Sequence, residues 1–155
     1  MVTLIEDSRQ QAGKHDVKHA VWTEHVVNLT RCALPYGDYA LPPRVAVDTK
    51  ASMQEIAQNI GGNAAEHARF RKELIRARDC GAHLYILVEN DEGIRGLDDV
   101  ARWTNPRLID SPKAITGARL AKAMQTMQER YGVTFLFCAP EQSAGIVYYL
   151  LERGT

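Results

Sequence analysis

Asp48 and Lys50 stand at alternate positions of an otherwise apolar run, in the segment RVAVDTK. Because successive side chains of a β-strand point to opposite faces, both charges would lie on one face and Thr49 on the other. A buried carboxylate costs several kcal/mol to desolvate unless a cation or hydrogen bonds compensate it. The pattern therefore predicts a partner for Asp48, and a salt bridge to Lys50 is the simplest one.

Two more carboxylates fall at the ends of predicted strands in the same half of the chain. Asp7 follows the run VTLIE, and Asp38 follows Gly37 in LPYGDYAL. Clustered carboxylates repel one another unless a hard cation such as Mg²⁺ or Mn²⁺, which prefers oxygen ligands, lies among them. A lysine beside such a cluster suits the binding of phosphate. We therefore predict that Asp7, Asp38 and Asp48 converge with Lys50 on a cation site that handles phosphate groups.

The elements that must position these residues follow from hydrophobic periodicity and capping signals. Strands are expected at VTLIED, at the bent segment VVNLTRCALPYGDYAL and at RVAVDTK. Ser52 and Glu55 have the spacing of a capping box, which predicts a helix to about Ile60. Farther along, predicted helices alternate with the apolar strands AHLYILVEN and VTFLFCA. This order predicts an α/β domain with a mixed sheet, whose functional residues gather at strand ends.

Composition limits the class of protein. The 155 residues suffice for one compact domain, which we place at residues 1–155. Basic and acidic residues number 19 each, so net charge alone does not predict binding to nucleic acid or membrane. The three cysteines lack the paired spacing typical of zinc sites, and no apolar run approaches the ~20 residues that span a bilayer. We therefore expect a cytoplasmic protein.

Five segments of the chain, in order, resemble the ERCC4-type nuclease domain: LIEDSRQ, LPYGDYAL, VAVDTKASMQEIAQNI, FRKELIRARDCGAHLYILVEN and ITGARLAKAMQTMQERYGVTFLFC. This family includes the XPF and MUS81 structure-specific endonucleases and smaller bacterial and phage relatives. The likeness covers nearly the whole chain. It implies the restriction-endonuclease-like PD-(D/E)XK fold, a three-layer α/β domain in which helices flank a central mixed β-sheet.

The resemblance also implies roles for individual residues. Asp7 and Arg9 resemble the acid and the arginine of the family's first strand, and Asp38 resembles the aspartate of its Gly-Asp motif. Asp48 and Lys50 resemble the outer members of its Glu-Arg-Lys triplet. The implied catalytic residues are these five together with Glu55, for which Gln54 is the alternative, and Glu89 resembles the glutamate that closes the next buried strand.

The implied reaction is metal-assisted hydrolysis of a phosphodiester bond. Asp38, Asp48, the backbone carbonyl of Thr49 and Asp7 would hold Mg²⁺ or Mn²⁺, and Lys50 would orient the attacking water or stabilise the transition state. The chain departs from the family at two positions. It reads Asp48-Thr49-Lys50 in place of Glu-Arg-Lys, and Gln10 stands where a glutamate often follows the arginine.

Candidate DNA contacts lie outside the carboxylate cluster. Arg69, Lys72 and Arg76 share one face of a predicted helix and could neutralise phosphates, although basic residues on a solvated helix face are common. Arg119 begins a later helix and could also reach phosphate. Trp103 lies in the polar segment that follows the strand AHLYILVEN, where it could stack on an unpaired base.

Two residues of the same regions have plainer interpretations. Trp22 is most simply a core residue. Glu73 is interpreted as the acid of a helix ion pair with Arg69, Arg76 or Arg78.

These features predict a metal-dependent DNA endonuclease of bacterial or phage type. By resemblance, its substrate is branched DNA (flaps, forks or junctions) in repair, recombination or phage DNA processing. A homodimer or a partner protein is left open, and no membrane association is expected. The alternative is a catalytically degenerate DNA-binding or scaffold subunit, against which the retained acids and lysine argue. A nucleotide-binding enzyme lacks support, since the Gly61-Gly62 pair follows a helix rather than a strand.

Overall fold

The computed structural model describes residues 2–24, 27–34, 36–41 and 44–153. The strands of this part of the chain are β1 (Val2–Asp7), β2 (Val27–Cys32), β3 (Tyr39–Leu41), β4 (Val45–Lys50), β5 (His83–Glu89) and β6 (Thr134–Cys138). The α-helices are α1 (Asp16–Glu24), α2 (Met53–Gly61), α3 (Ala64–Asp79), α4 (Leu97–Arg102), α5 (Gly117–Tyr131) and α6 (Ser143–Arg153). Short 3₁₀ helices occupy Pro106–Ile109 and Pro140–Gln142.

The six strands form one mixed sheet in the order β2-β1-β3-β4-β5-β6. β1 is parallel to β2 and antiparallel to β3, and β3 is antiparallel to β4. β4, β5 and β6 run parallel to one another. Every strand except β3 therefore ends at the same edge of the sheet, where β3 begins. We call this the carboxyl edge.

Helices cover both faces of the sheet. On one face, Ala46, Ile86 and Val88 pack beneath α2, α3 and α5. On the other face, Val47 and Leu87 pack with α1 and α6. The predicted three-layer α/β arrangement with a central mixed sheet is therefore confirmed. Within the described residues, no helix is both long enough and apolar enough to cross a membrane.

The prediction of one bent strand at residues 26–41 is wrong. Two strands occupy the described part of this region, and they lie on opposite sides of β1. Gly37 has a φ of 69°, in the left-handed region that glycine adopts without strain, and the turn there leads the chain into β3. Local β-propensity cannot separate one strand from two, because β1, the strand that β2 and β3 flank, is remote in sequence from both.

The segment after β5 is folded against the core instead of forming an open loop. Asn90 organises its first turn, since its side chain accepts the Ile94 N–H at 2.9 Å and donates to the Ile94 carbonyl at 3.0 Å. Trp103 is only 7% exposed, and its indole N–H donates to Glu92 at 3.2 Å. The prediction that Trp103 stacks on DNA bases is therefore wrong, because its ring is part of the core. Trp22, 1% exposed, is a core residue as predicted.

Candidate active site

The segments that carry the predicted site residues meet at the carboxyl edge. Asp7 ends β1, Asp38 immediately precedes β3, and Lys50 ends β4. The Asp7 N–H donates to the Asp38 carbonyl at 2.7 Å, and the Asp38 N–H donates to the Val47 carbonyl at 2.9 Å. The backbone of Asp38 is thus held between β1 and β4. This edge is where sites of open α/β sheets commonly form.

Asp48 and Lys50 form the predicted pair on the face covered by α2 and α3. Asp48 Oδ2 lies 2.8 Å from Lys50 Nζ, yet the approach is not aligned as a hydrogen bond, and this oxygen accepts none from the described residues. Burial is the main cause that raises the pKa of Asp48 to about 7; the charge of Lys50 lowers it and that of Asp38 raises it. Lys50 does not fully compensate this buried carboxylate.

The Lys50 ammonium remains protonated in this environment. Burial lowers the pKa of Lys50, but the charge and close contact of Asp48 together with the charges of Glu73 and Asp38 outweigh burial and raise the pKa above its ordinary value. Nζ also lies 5.5 Å from the centre of the Phe70 ring, a favourable cation–π distance. Lys50 therefore supplies a fixed positive charge.

Both carboxylate oxygens of Asp38 accept hydrogen bonds. Its Oδ2 accepts from the Thr49 N–H at 2.8 Å and from the Thr49 hydroxyl at 2.7 Å, while Oδ1 accepts from the Gln10 amide. Burial raises the pKa of Asp38, although the Thr49 hydrogen bonds and the charge of Lys50 lower it. These contacts fix the orientation of the carboxylate. The Thr49 carbonyl stays a predicted ligand.

Glu73 joins the site from helix α3, a contact that the sequence interpretation missed. Its Oε1 accepts the Gly37 N–H at 2.7 Å, so it holds the turn that presents Asp38. Burial and the charge of Asp48 raise the pKa of Glu73 to about 7, although the Gly37 hydrogen bond and the charges of Lys50 and Arg9 lower it. The interpretation of Glu73 as a helix ion pair is wrong, because its carboxylate turns inward to Gly37.

The sequence contained one signal for this inward position. Glu73 lies three residues after Phe70 and immediately before Leu74, both of which are buried. Residues three apart on a helix share a face, so Glu73 borders the apolar stripe of α3. That placement marks it as a carboxylate at the rim of the core, whereas its contact with the turn at Gly37 depends on the tertiary fold.

The carboxylate of Asp7 is engaged by its neighbours. Arg9 Nε lies 3.0 Å from Oδ1 and 2.9 Å from Oδ2 of Asp7, and the Leu34 N–H donates to Oδ1 at 3.3 Å. Burial raises the pKa of Asp7, but the hydrogen bonds from Arg9 and from the backbone outweigh burial and lower it. Asp7 and Arg9 are therefore a compensated pair. A direct role of either in catalysis stays a prediction.

Glu55 and Glu89 have structural partners of their own. The Ser52 hydroxyl accepts the Glu55 N–H at 3.1 Å, so Ser52 caps α2 as predicted. Glu55 Oε2 accepts the Ala51 N–H at 2.7 Å instead of the Ser52 N–H, so the described residues form only half of the predicted capping box. Glu89 lies on the opposite face of the sheet, where it contacts Lys18 at 2.6 Å. The catalytic role given to Glu55 is untested, and the capping contact is the one that the structure shows.

Gln10 is a second contact that was missed. Its side-chain amide donates to Asp38 Oδ1, and its Oε1 lies 2.7 Å from Nε2 of His15. Because Gln10 Oε1 is an acceptor, His15 Nε2 must be the donor of this pair. His15 is buried and makes an edge-on contact with the Tyr39 ring at 5.6 Å. Gln10 therefore links Asp38 to the core on the α1 side.

A basic flank of α3 borders the cluster. Arg69, Lys72 and Arg76 are exposed, as their predicted role in DNA binding requires. Arg69 also lines a cleft of about 130 Å³ with Lys50 and Glu73. Arg119 lies elsewhere, in a groove between α3 and α5. The four predicted basic contacts thus fall into two separate regions.

The chemistry of the buried donors fits a hard divalent cation. Asp38 and Asp48 offer carboxylate oxygens, and Mg²⁺ is commonly bound by one or two carboxylates together with water and substrate phosphate. The unpartnered Asp48 Oδ2 and the raised pKa values of Asp38 and Asp48 mark a place where positive charge is in deficit. In the described ranges, no group of three or more His, Cys, Asp or Glu residues is arranged to hold a metal ion. The fit therefore depends on oxygen ligands from water and substrate.

Comparisons with known proteins identify relatives by structure. No family model matches the chain, and no curated protein matches its sequence. The chain is similar to the solved structure of XPF from Aeropyrum pernix, with a TM-score of 0.67 and 19% identity over 97% of this chain and 64% of that chain. It is also similar to XPF from Aeropyrum pernix in complex with DNA, with a TM-score of 0.69 and 18% identity over 99% of this chain and 64% of that chain. The chain therefore has an XPF-like fold and spans 64% of the length of those chains.

Proposed function

We propose that the protein is a divalent-cation-dependent nuclease that hydrolyses phosphodiester bonds in DNA. The observation that carries the proposal is the meeting of Asp38, Asp48 and Glu73 around Lys50 at the carboxyl edge. Two of these acids have a pKa raised to about 7, so their negative charge is not balanced by the cations beside them. A structural salt bridge needs no such surplus of buried carboxylates.

The proposed cofactor is Mg²⁺ or Mn²⁺, held by Asp38 and Asp48. The Thr49 carbonyl and Asp7 are proposed as further ligands. When bound, such an ion lowers the pKa of a water ligand and neutralises charge that develops on the phosphoryl group.

The residues of the chain have distinct parts in this proposal. Lys50, whose pKa the neighbouring carboxylates raise, stabilises negative charge on the phosphate or orients the attacking water. Thr49 and Gln10 fix the two oxygens of Asp38. Glu73 fixes the turn before Asp38 through the Gly37 N–H. The site is therefore oriented by hydrogen bonds from several elements, as catalysis by positioned charges requires.

DNA would approach over the basic flank of α3. Arg69 lines the same cleft as Lys50, and Lys72 and Arg76 lie exposed on its side of the helix. These cations can neutralise phosphates that flank the reacting one. The solved structure of XPF in complex with DNA supports DNA as the substrate class, since the two chains share a fold.

Finer features of the function are also proposals. We propose branched DNA, such as a flap, fork or junction, as the preferred substrate in repair, recombination or phage DNA processing. A cytoplasmic location in a bacterial or phage-infected cell and assembly as a homodimer or with a partner protein belong to the same proposal.

One observation favours a second candidate function, that of a non-catalytic DNA-binding or scaffold subunit. Asp7 is paired with Arg9, and both oxygens of Asp38 already accept hydrogen bonds, so Asp48 is the acid with an unpartnered oxygen. A degenerate site would bind DNA through its basic residues without cutting it.

Cleavage of a labelled DNA panel tests the two functions against each other. The panel contains duplex, single-stranded, flap, fork and four-way DNA, each incubated with Mg²⁺, Mn²⁺ or EDTA. We expect metal-dependent cutting by the wild type, a loss of ~10²-fold or more in Asp48→Asn, and no loss in Asp110→Asn, which changes an exposed acid remote from the site. DNA binding without cutting in any metal would favour the scaffold function.

A further inference from the structure

A groove between α3 and α5 has a strong local excess of positive charge. Its volume is about 370 Å³, and its basic lining consists of His67, Arg71, Arg119, Lys122 and Arg130. No carboxylate is among the residues that line it in the described structure. Because the whole chain has a formal net charge of zero, this surplus is local and the overall composition does not reveal it. We call this feature the α3–α5 groove.

The four strong cations of the groove have no acidic partner. Arg71 Nε donates to the Tyr131 hydroxyl at 3.1 Å, which holds the guanidinium group at the groove wall. Burial raises the pKa of Tyr131, but hydrogen bonds from Arg130 and Arg71 outweigh burial and lower it. None of Arg71, Arg119, Lys122 and Arg130 forms an ion pair in the described ranges of the chain. An anion that entered the groove would therefore meet cations that are not already neutralised.

The cations on α5 form a row. Arg119, Lys122 and Arg130 line the same groove, and the spacings of three and eight residues keep them on one side of the helix. With a rise of 1.5 Å per residue, the row from Arg119 to Arg130 is about 16 Å long. A strand of duplex DNA carries one phosphate about every 3.4 Å of helix axis, so four or five phosphates fit along this length. The row therefore matches a linear polyanion.

The surroundings favour a nucleic acid over an acidic protein. Stable protein interfaces are centred on large apolar or aromatic anchors. Met127 and Tyr131 line the groove but are only 7% and 9% exposed, so they offer little apolar surface to a partner. The exposed large hydrophobic residues of the described chain are Val17, Ile109 and Tyr149, and none of them lines the groove. Three of its four strong cations are arginines, whose planar fork matches phosphate oxygens in pairs.

The groove is separate from the candidate active site. Arg69 and Glu73 line the cleft beside Lys50, whereas His67 and Arg71 line the α3–α5 groove, and the two sets of lining residues do not overlap. Helix α3 lies between them, and a helix with its side chains is about 10–12 Å wide. A phosphate in the groove would therefore be remote from the reacting phosphate.

We infer that the α3–α5 groove is a second nucleic-acid contact, which binds a stretch of phosphodiester backbone away from the candidate active site. The choice of DNA as the ligand rests on the proposed function, but binding in the groove requires no cleavage. The groove and the site can therefore be tested independently.

The test measures binding of a fluorescein-labelled 20-base-pair duplex by anisotropy in EDTA, with every protein carrying Asp48→Asn. The groove variant is Arg119→Ala/Lys122→Ala. The matched control is Lys14→Ala/Arg153→Ala, which removes two exposed cations from the side of the sheet that packs with α1 and α6. Each protein is titrated from 50 to 200 mM salt, and circular dichroism checks that the three proteins unfold at the same temperature.

We expect the groove variant to bind about tenfold more weakly at 100 mM salt. The slope of log affinity against log salt should fall in magnitude by about 2, since each lost phosphate contact contributes ~0.9 on duplex DNA. The control should keep the slope of its parent. An unchanged slope in the groove variant, or an equal change in the control, overturns the inference. Polyglutamate and unlabelled DNA are also compared as competitors at equal concentrations of negative charge. If polyglutamate displaces the labelled duplex at the lower concentration, the inference is overturned in favour of an acidic protein partner.

The outcome is independent of the proposed function. If the wild type cuts DNA while the groove variant binds with an unchanged slope, the inference fails and the proposed nuclease stands. If the groove variant loses affinity as expected while the wild type never cuts, the nuclease fails and the second contact stands.

Discussion

Replacing Asp48 with asparagine should stabilise the protein at neutral and alkaline pH. The substitution keeps the shape of the side chain and removes a buried charge that Lys50 does not fully compensate. A salt bridge that supports the fold predicts the opposite result. Breaking such a buried pair is destabilising by about 3–5 kcal/mol, because it leaves one charge without its partner.

The magnitude follows from the pKa of Asp48. The folded protein raises this pKa from 3.8 to about 7, so the folded state holds a proton that the unfolded state has released between these values. The contribution of Asp48 to wild-type stability therefore falls as the pH rises from about 4 to 7, and the asparagine variant lacks this loss. At 1.36 kcal/mol per pKa unit, the variant should gain on the order of 2–3 kcal/mol over the wild type between pH 5 and pH 8.

Urea unfolding in EDTA measures this difference, with tryptophan fluorescence as the signal. Both tryptophans are buried, Trp22 at 1% and Trp103 at 7% exposed, so unfolding changes their surroundings. The control is Asp110→Asn, whose difference in stability from the wild type should be the same at the two pH values. A variant that is less stable than the wild type at pH 8 would refute the reasoning, since the Asp48–Lys50 pair would then support the fold.

Three further predictions concern the neighbours of this pair. Gln10→Glu should place a second carboxylate against Asp38, where the two negative charges repel each other. The cleavage rate at saturating DNA should therefore fall more in Gln10→Glu than in Gln10→Ala, which single-turnover assays of both variants can measure. Glu73→Gln keeps an acceptor for the Gly37 N–H, so it should retain the fold. Glu73→Ala should lose about 1–3 kcal/mol of unfolding free energy, measured by denaturant unfolding. Equal losses in the two variants would contradict a positioning contact. Burial lowers the pKa of His15 to about 4, so the contribution of His15 to stability should fall by up to about 3 kcal/mol as the pH drops from 6.5 to 4. The difference in unfolding free energy between His15→Asn and the wild type should change by that amount over this range.

Features of the fold that depend on local sequence could be predicted. Ser52 marks the start of α2 because its N-cap bond, from the Glu55 N–H to the Ser52 hydroxyl, is formed within four residues. Gly132, in the left-handed conformation, ends α5, and a glycine after an amphipathic helix is a local stop signal. The shared face of Asp48 and Lys50 followed from strand alternation alone.

Contacts between remote segments could not be read in the same way. Glu73 reaches Gly37 only after α3 has packed on the sheet, and Gln10 meets Asp38 only where β1 and β3 pair. Trp103 stands in a polar segment with Gly and Pro nearby, so local composition favoured an exposed loop, while tertiary packing buried it. These contacts join residues far apart in sequence, and periodicity carries no information on such pairs.

The most direct test of the central claim measures DNA hydrolysis and folding together in the same three proteins. Wild type, Asp48→Asn and Lys50→Met are compared at pH 8 for the metal-dependent rate on the best DNA of the panel and for the free energy of unfolding. The account predicts that both variants fold and that each loses ~10²-fold or more in rate. Variants that cut as fast as the wild type, or a wild type that cuts no DNA in Mg²⁺ or Mn²⁺, would contradict it.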